Sequence, residues 1–141
     1  MVYENQPGAL NESLSDVFGY FVEAEYQDGG DWTEGEDIRI NGGASRSFSD
    51  PPTYGDPDNI NHPYYVPFAS NPTFNNDMGG VHSNSGITNK ILYLVVQGDE
   101  HYDIQVDPLD EDINLSRNIA SEIWYNWNRY YLDFEDDFMV G

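Results

Sequence analysis

The stretch GALNESLSDVFG, residues 8–19, decides the fold of this chain. Its apolar residues recur every three or four positions, and the spacing continues downstream, so the sequence predicts an amphipathic helix over residues 8–26. The apolar stripe consists of Leu10, Leu14, Val17, Phe18, Phe21 and Val22. The opposite face carries Glu12, Asp16, Gly19 and Glu23. The side chains on this polar face are short and acidic, which is typical of a solvent-exposed face and also suits metal binding.

Two carboxylates lie one helical turn apart on this polar face. Glu12 and Asp16 are four residues apart, and like charges at that spacing repel unless a cation or a hydrogen-bond donor compensates them. A metal ion bound by Glu12, with Asp16 holding a neighbouring ligand, explains the pair. Plain exposure to salt water explains it too, and the spacing alone leaves both interpretations open.

Two further helices are predicted along the chain. The second covers residues 84–98, where the apolar run at residues 91–96 indicates burial on most sides. The third covers residues 114–132, with Asn114 or Ser116 as its N-cap. Its apolar residues at helical spacing are Leu115, Ile119, Ile123, Trp127 and Tyr130. Residues 27–80 are rich in turn signals and acidic pairs, so this loop region is a natural place for calcium.

Among the three histidines, His82 has the most suggestive surroundings. No two of the histidines are four residues apart, so no predicted helix offers a histidine pair to a metal. His82 lies in DMGGVHSNSG, residues 77–86, where two glycines allow a sharp bend. Asp77, five residues earlier, is in reach of an imidazole nitrogen and would fix its tautomer. Spacing alone leaves open a simple turn with a surface histidine.

Four motifs in this order resemble the thermolysin family of neutral zinc metalloendopeptidases. Residues 8–19 are similar to the helix that carries the family's third zinc ligand, and GGVHSNSGI, residues 79–87, is similar to its catalytic histidine loop. RSFSDP at 46–51 and YGDPD at 54–58 match two further stretches. The resemblance covers residues 2 to about 102 well and fades beyond. It implies a mainly α fold with long irregular, ion-binding loops, as part of the α-helical C-terminal lobe of a thermolysin-like catalytic unit.

The resemblance also implies a role for particular side chains. Glu12 would be the third zinc ligand, and Asp16 would hydrogen-bond a zinc-bound histidine. His82, oriented by Asp77, would stabilise the oxyanion of the tetrahedral intermediate. Two more residues at matching positions are Tyr3, which would help at the same oxyanion, and Arg46, which would bind a substrate carbonyl.

The resemblance implies only part of the family's calcium-binding residues in this chain. Glu23, Asp31 and Glu36 match carboxylates that hold calcium beside the family's active site. Thr33 stands where the double-calcium members have another acid, and the loop at 37–45 is shorter than theirs, so one calcium is expected. Ser45 replaces a leucine of the family's prototype, which weakens the expected preference for large apolar side chains in the substrate.

The HExxH helix of the family is absent from this sequence. That helix supplies two zinc ligands and the general base. Residues 1–141 are therefore interpreted as a partial, C-terminally incomplete peptidase domain, either a fragment or a reading frame that begins at an internal methionine. Its parts are the zinc-ligand helix at 1–26, the calcium and substrate loops at 27–80, and the histidine loop with the helical lobe at 81–141. The predicted function is zinc-dependent proteolysis within a longer secreted enzyme that includes the upstream segment. The alternative is an inactive, acidic, calcium-binding fragment.

Composition restricts the partners and the setting of this chain. Its 26 acidic and 5 basic residues give a net charge of −21, which argues against nucleic acid or an anionic membrane as a partner. So acidic a chain, with Lys90 as its only lysine, suits concentrated salt, where charge repulsion is screened. It contains no cysteine, which excludes disulfides and cysteine nucleophiles. Its sequence has no signal peptide, so extracellular localisation is expected only of the parent enzyme.

Overall fold

The computed structural model describes residues 2–27, 29–40 and 42–133. Three helices dominate: α1 at Asn5–Tyr26, α2 at Asp77–Gln97 and α3 at Ile113–Asn126, which continues into a π-helical turn at Trp127–Tyr131. The prediction of a mainly α chain is confirmed. Residues 134–141, the end of the predicted domain, lie outside the described residues. No described helix is long and apolar enough to cross a lipid bilayer.

The strands are short and form two hairpin-like pairs. β1 at Thr33–Glu34 pairs antiparallel with β2 at Arg46–Ser47, so that Glu34 lies opposite Arg46. β3 at Asp99–His101 pairs in the same sense with β4 at Ile104–Val106. Two 3₁₀ turns, at Pro51–Tyr54 and Phe74–Asn76, interrupt the loop region. The predicted loop segment is therefore irregular, and its first strand pair holds the two ends of the 33–47 loop together.

The three helices meet in one apolar core. The buried cluster consists of Leu14, Val17, Tyr20 and Ala24 of α1, Leu92 and Val96 of α2, Ala120 and Trp124 of α3, and Phe48 of the loop region. Tyr20 stacks on Trp32, with ring centroids 4.2 Å apart. Val22, predicted on the buried stripe of α1, is exposed, and Tyr20 takes its place because the buried face is rotated toward α2 and α3.

α1 and α2 come close together where Gly8 faces Val81. Gly8 makes this approach possible, because a Cβ atom there would overlap the buried Val81 side chain of α2. The contact brings Glu12, one turn further along α1, to the same side as His82, the residue after Val81. The glycine of the opening motif thus fixes the distance between the two helices that carry the candidate site.

All three helices begin earlier than the sequence predicts: α1 begins at Asn5 instead of residue 8, and α3 at Ile113 instead of residue 114. α2 begins at Asp77 instead of residue 84, although Met78, Gly79 and Gly80 have positive φ, so regular helix starts only after that turn. The predicted cap of α3 is wrong, because the Asp112 side chain accepts the hydrogen bond from Asn114 N at 2.9 Å. Ser116 is instead buried inside α3 and donates to Val96 O at 3.0 Å.

Only some of the apolar residues of α3 lie on its buried face. Ser116, Ala120 and Trp124 are buried, one turn apart from each other. Leu115, Ile123 and Tyr130 of the predicted stripe are exposed in this chain. The small residues at 116 and 120 let α3 come close to α2, which the apolar periodicity alone did not indicate.

Lys90 lies in the interior. It is only 6% exposed, its Nζ donates to Ser49 O at 2.7 Å, and the ammonium lies 4.5 Å from the Tyr93 ring centroid. Burial lowers the pKa of this amine. Lys90 thus fastens the loop region to α2.

Candidate active site

Glu12, Tyr3 and His82 converge where α1 faces the start of α2. Tyr3 OH donates to Glu12 Oε1 at 2.5 Å and lies 3.2 Å from His82 Nε2. The same imidazole nitrogen is 3.5 Å from Glu12 Oε2. Three side chains that the sequence separates by up to 79 positions therefore point at one spot.

Asp77 holds His82 in place within the histidine turn, residues 77–82. One carboxylate oxygen of Asp77 accepts from His82 N at 3.0 Å and from Ser83 N at 3.3 Å, and the other contacts His82 Nδ1. The turn reaches this geometry through left-handed backbone at four successive residues, with φ of 54° at Asp77, 50° at Met78, 86° at Gly79 and 85° at Gly80. Because Asp77 occupies Nδ1, Nε2 is the atom that faces the open side, where the His82 side chain is 52% exposed.

Tyr3 is arranged as a hydrogen-bond donor. The hydrogen bond to the Glu12 carboxylate, together with burial, raises the pKa of Tyr3 to about 12. The phenol is therefore protonated at neutral pH, with its single O–H directed at Glu12 Oε1. Tyr3 OH and His82 Nε2 form a pair of neighbouring groups able to donate to one negatively charged oxygen.

Arg46 and Asp16 are joined directly. Arg46 Nη1 donates to both oxygens of Asp16, at 2.7 and 2.8 Å, and Asn89 Nδ2 adds a third hydrogen bond to Asp16 at 2.8 Å. Ser13 Oγ in turn donates to Asn89 Oδ1 at 2.7 Å. Asp16, which is buried, is thus held rigidly by donors from β2 and α2. The family resemblance implies separate roles for Arg46 and Asp16, and this ion pair was not expected from it.

Two further acids near Arg46 were missed. Burial, followed by repulsion from Asp16, raises the pKa of Glu34 to about 8. Burial likewise raises the pKa of Asp56 to about 6, against the opposing effect of Arg46. Glu34 carried no sequence signal, since it is one acid among 26. Asp56 belongs to the YGDPD motif, but nothing in that motif indicates that it lies within electrostatic reach of Arg46 and His82.

The raised pKa of Glu34 predicts a pH-dependent stability. Glu34 binds its proton more tightly in the folded state than in the unfolded chain, so its stabilising effect is fully present below its ordinary pKa and is lost as the pH rises toward 8. We expect Glu34→Gln, which is always neutral, to raise the melting temperature at pH 8 by about 2–4 °C, the response to about 1 kcal/mol after allowing for partial solvent screening. At pH 4, below the ordinary pKa of Glu34, the two proteins should melt at nearly the same temperature. Circular dichroism in a chelator at molar salt measures this, and equal shifts at both pH values would contradict it.

Glu23, Asp31 and Glu36 form a second acidic group beside β1. One ligand atom from each lies within 4.8 Å of the others. Thr33 Oγ1 donates to Asp31 Oδ1 at 2.8 Å and to Glu36 Oε2 at 3.0 Å. Burial and the charges of Glu36 and Asp31 raise the pKa of Glu23. The structure thus brings the three predicted calcium ligands together. A bound cation would offset the repulsion between their carboxylates.

Comparison with known proteins gives a consistent result. The family described as "Thermolysin metallopeptidase, alpha-helical domain" matches residues 1–140. Bacillolysin of Brevibacillus brevis is 42% identical over 135 residues, which are 94% of this chain and 22% of that protein. Thermolysin of Alicyclobacillus acidocaldarius is 43% identical over the same shares of the two chains. Neutral protease NprE of Bacillus pumilus is 52% identical over 97 residues, 68% of this chain and 29% of its own length. The chain thus spans between a fifth and a third of the length of these relatives.

Proposed function

This chain belongs to the thermolysin metallopeptidase family, in the part that forms its α-helical domain, and from that premise we propose that it supplies one side of a zinc endopeptidase active site. The observation that supports the proposal is the convergence of Tyr3, Glu12 and His82 on one point, with Asp77 behind the histidine. Its substrates would be proteins or peptides, and the complete enzyme would act outside the cell.

Glu12 fits one ligand position of a catalytic zinc. Such sites use three protein ligands and keep a fourth position for water. Among the described residues, the group around Glu12 offers one carboxylate as a zinc ligand, because His82 is proposed to stabilise the substrate oxyanion instead. Two further ligands would come from an upstream HExxH segment. When bound, zinc activates water and polarises the substrate carbonyl.

Asp16 would serve the zinc side of the same site, and Arg46 would serve the substrate side. Asp16 uses both oxygens for Arg46 and one of them for Asn89, and a carboxylate has further acceptor positions for the N–H of a ligand histidine. Arg46 gives only Nη1 to Asp16, and its remaining guanidinium donors are suited to a peptide carbonyl. The ion pair would then fix the position of both groups relative to the substrate.

His82 and Tyr3 would stabilise the negative charge that develops on the substrate oxygen. Nε2 and the phenol O–H are 3.2 Å apart, so one oxygen can accept from both. Asp77 contacts His82 Nδ1 and fixes the orientation of the imidazole, and the raised pKa of Tyr3 keeps its phenol protonated. Donors held in advance at the position where charge develops are the largest single contribution in many hydrolases.

The proposal is tested by restoring the missing part. We expect the chain alone to bind zinc weakly and to leave casein intact. A hybrid, in which the HExxH-bearing segment of a family relative is joined upstream of this chain, should hydrolyse casein and contain one zinc per molecule. Atomic absorption and a casein assay measure both. Tight binding of one zinc by the chain alone, or an inactive hybrid that folds and contains zinc, would contradict the proposal.

The second candidate is an inactive, acidic, calcium-binding chain. The Glu23, Asp31 and Glu36 group favours it, because all three calcium ligands belong to the described residues, whereas the zinc ligand set does not. The two functions are compatible: calcium would stabilise the fold of the same chain that contributes Glu12 to the zinc site. We propose one calcium ion here.

Calcium is expected to stabilise the isolated chain by mass action. At a free concentration one hundred times the dissociation constant, a single site adds about 2.7 kcal/mol to the free energy of unfolding. Glu23→Gln removes one ligand charge and should abolish most of this gain, whereas Glu25→Gln, an exposed acid on the same helix, should keep it. Thermal unfolding over a calcium titration measures the effect. A calcium response that survives Glu23→Gln would show that the ion binds elsewhere.

A further inference from the structure

Residues 65–70, here called the strap, are held against the starts of α1 and α2 by two asparagine side chains. Asn84 Oδ1 accepts from Val66 N at 3.0 Å, and its Nδ2 donates to Val66 O at 2.8 Å. Asn5 makes the same pair of hydrogen bonds to Ala69: its Oδ1 accepts from Ala69 N at 2.8 Å, and its Nδ2 donates to Ala69 O at 3.3 Å. Each side-chain amide therefore pairs with the strap as a neighbouring strand would.

Both asparagines are buried beside the proposed catalytic side chains. Asn84 is 1% exposed and Asn5 is 7% exposed, and losing either amide would leave partly buried backbone groups of the strap without these partners. Asn5 follows Tyr3 by two residues, and Asn84 follows His82 by two. The two contacts thus connect the strap to both of the segments that carry the candidate oxyanion donors.

The strap and its asparagines also pack on the backbone of the histidine turn. A Cβ atom at Gly79 would overlap Asn5 Oδ1. A Cβ atom at Gly80 would lie 2.5 Å from Val66 Cβ and 3.0 Å from Asn84 Nδ2. The turn therefore has no room to move toward the strap while both asparagines are in place.

The backbone of this turn needs such support. Asp77 and Met78 are not glycines, yet both have left-handed φ, a conformation that costs free energy and persists only when the surroundings enforce it. The strap lies against Gly80 through Val66, and it reaches Gly79 only through the side chain of Asn5. It is therefore placed to enforce the conformation that directs His82 Nε2 at Tyr3.

We propose that Asn5 and Asn84 are positioning residues that clamp the strap on the histidine turn and thereby hold His82 in its orientation. Neither asparagine touches the point where Tyr3, Glu12 and His82 converge. Their effect on turnover is indirect and rests on the proposed function, whereas their effect on the turn is a property of the chain itself.

Hydrogen exchange on the chain tests the clamp without any activity. We compare Asn84→Ala with Asn5→Gly, because glycine accepts the φ of 52° at position 5 and removes the amide without adding strain. Both variants should speed exchange at their own strap amide, Val66 or Ala69. Both should also speed exchange at His82 N, which donates to Asp77, by about tenfold or more. Ser116→Ala, which removes a buried hydrogen bond in α3, is the control and should leave His82 N unchanged.

The hybrid enzyme supplies the second measurement. Each asparagine variant should lower kcat by about tenfold to a hundredfold and change KM by less than about twofold, because the binding groups remain while the donor is displaced. Ser116→Ala should keep kcat. If hydrogen exchange at His82 N in both variants is as slow as in the wild type, or if kcat is unchanged, the proposed clamp is wrong. If Asn84→Ala does not fold, Asn5→Gly decides alone. If the unmodified hybrid is inactive, the proposed function fails, and the exchange measurement still decides whether the clamp exists.

Discussion

Replacing His82 with alanine in the hybrid enzyme is expected to lower kcat/KM by about two orders of magnitude or more. His82 Nε2 and Tyr3 OH are 3.2 Å apart and are aimed at one oxygen, so the variant loses one of two donors held in place before the reaction starts. Loss of one such donor costs about 2.7–4 kcal/mol in the transition state. The decrease should appear in kcat more than in KM, because the interaction forms fully only in the transition state.

The zinc content of the variants distinguishes a role of His82 as an oxyanion donor from a role as a zinc ligand. His82→Ala should keep one zinc per molecule, whereas Glu12→Gln should lose affinity for zinc together with activity. His62→Ala is the matched control, since His62 lies in the loop region, packed near Tyr64, and has no contact with the site. A His82→Ala hybrid that loses zinc, or one that keeps near-normal kcat/KM, would show that the residue has been misassigned.

Salt is expected to stabilise the isolated chain strongly. The chain carries 26 acidic and 5 basic residues, and folding brings these charges closer together than they are in the unfolded chain. At 1 M salt the screening length falls to about 3 Å, so most of this repulsion disappears, and higher concentrations also strengthen apolar burial. The melting temperature should therefore rise by on the order of 10 °C between low and molar sodium chloride, equivalent to a few kcal/mol.

The salt effect can be separated from calcium binding. Screening should be equal in sodium and potassium chloride and should continue to molar concentration, whereas a calcium site saturates at millimolar calcium or below. Glu23→Gln should keep the full salt response in a chelator. A melting temperature that stays level or falls from low to molar salt would refute the interpretation of the charge as an adaptation to concentrated salt.

The motifs predicted the site better than periodicity predicted the packing. The convergence of Glu12 and His82 follows from two short motifs whose spacing is tied to local structure: a glycine at the helix contact and two glycines in the turn. Tyr3, for which the family resemblance implies a role at the oxyanion, lies within hydrogen-bond distance of Glu12 and His82. Tyr3 and His82 are in contact although they are 79 positions apart in the sequence, and only the family resemblance indicated that they belong to one site.

Periodicity failed where small or polar residues make the contact. α3 buries Ser116 and Ala120, because close approach to α2 needs small side chains, and leaves Leu115 and Ile123 exposed. Apolar periodicity favours large side chains, so it indicated Leu115 and Ile123 as buried and missed Ser116, although Trp127 of the same stripe does pack against the core. Glu34 and the clamp asparagines were missed for a related reason. Their importance comes from burial and from partners distant in sequence, which residue type alone does not reveal.

The burial of Lys90 has a practical consequence for chemical work on this protein. Its ammonium is the only lysine amine in the chain, and it is enclosed between Ser49 O and the Tyr93 ring. Reagents that acylate exposed lysines, such as succinimidyl ester dyes, lysine-directed cross-linkers and amine-coupling sensor surfaces, therefore find no lysine target on the folded molecule. Labelling at Lys90 would instead report opening of the contact between the loop region and α2.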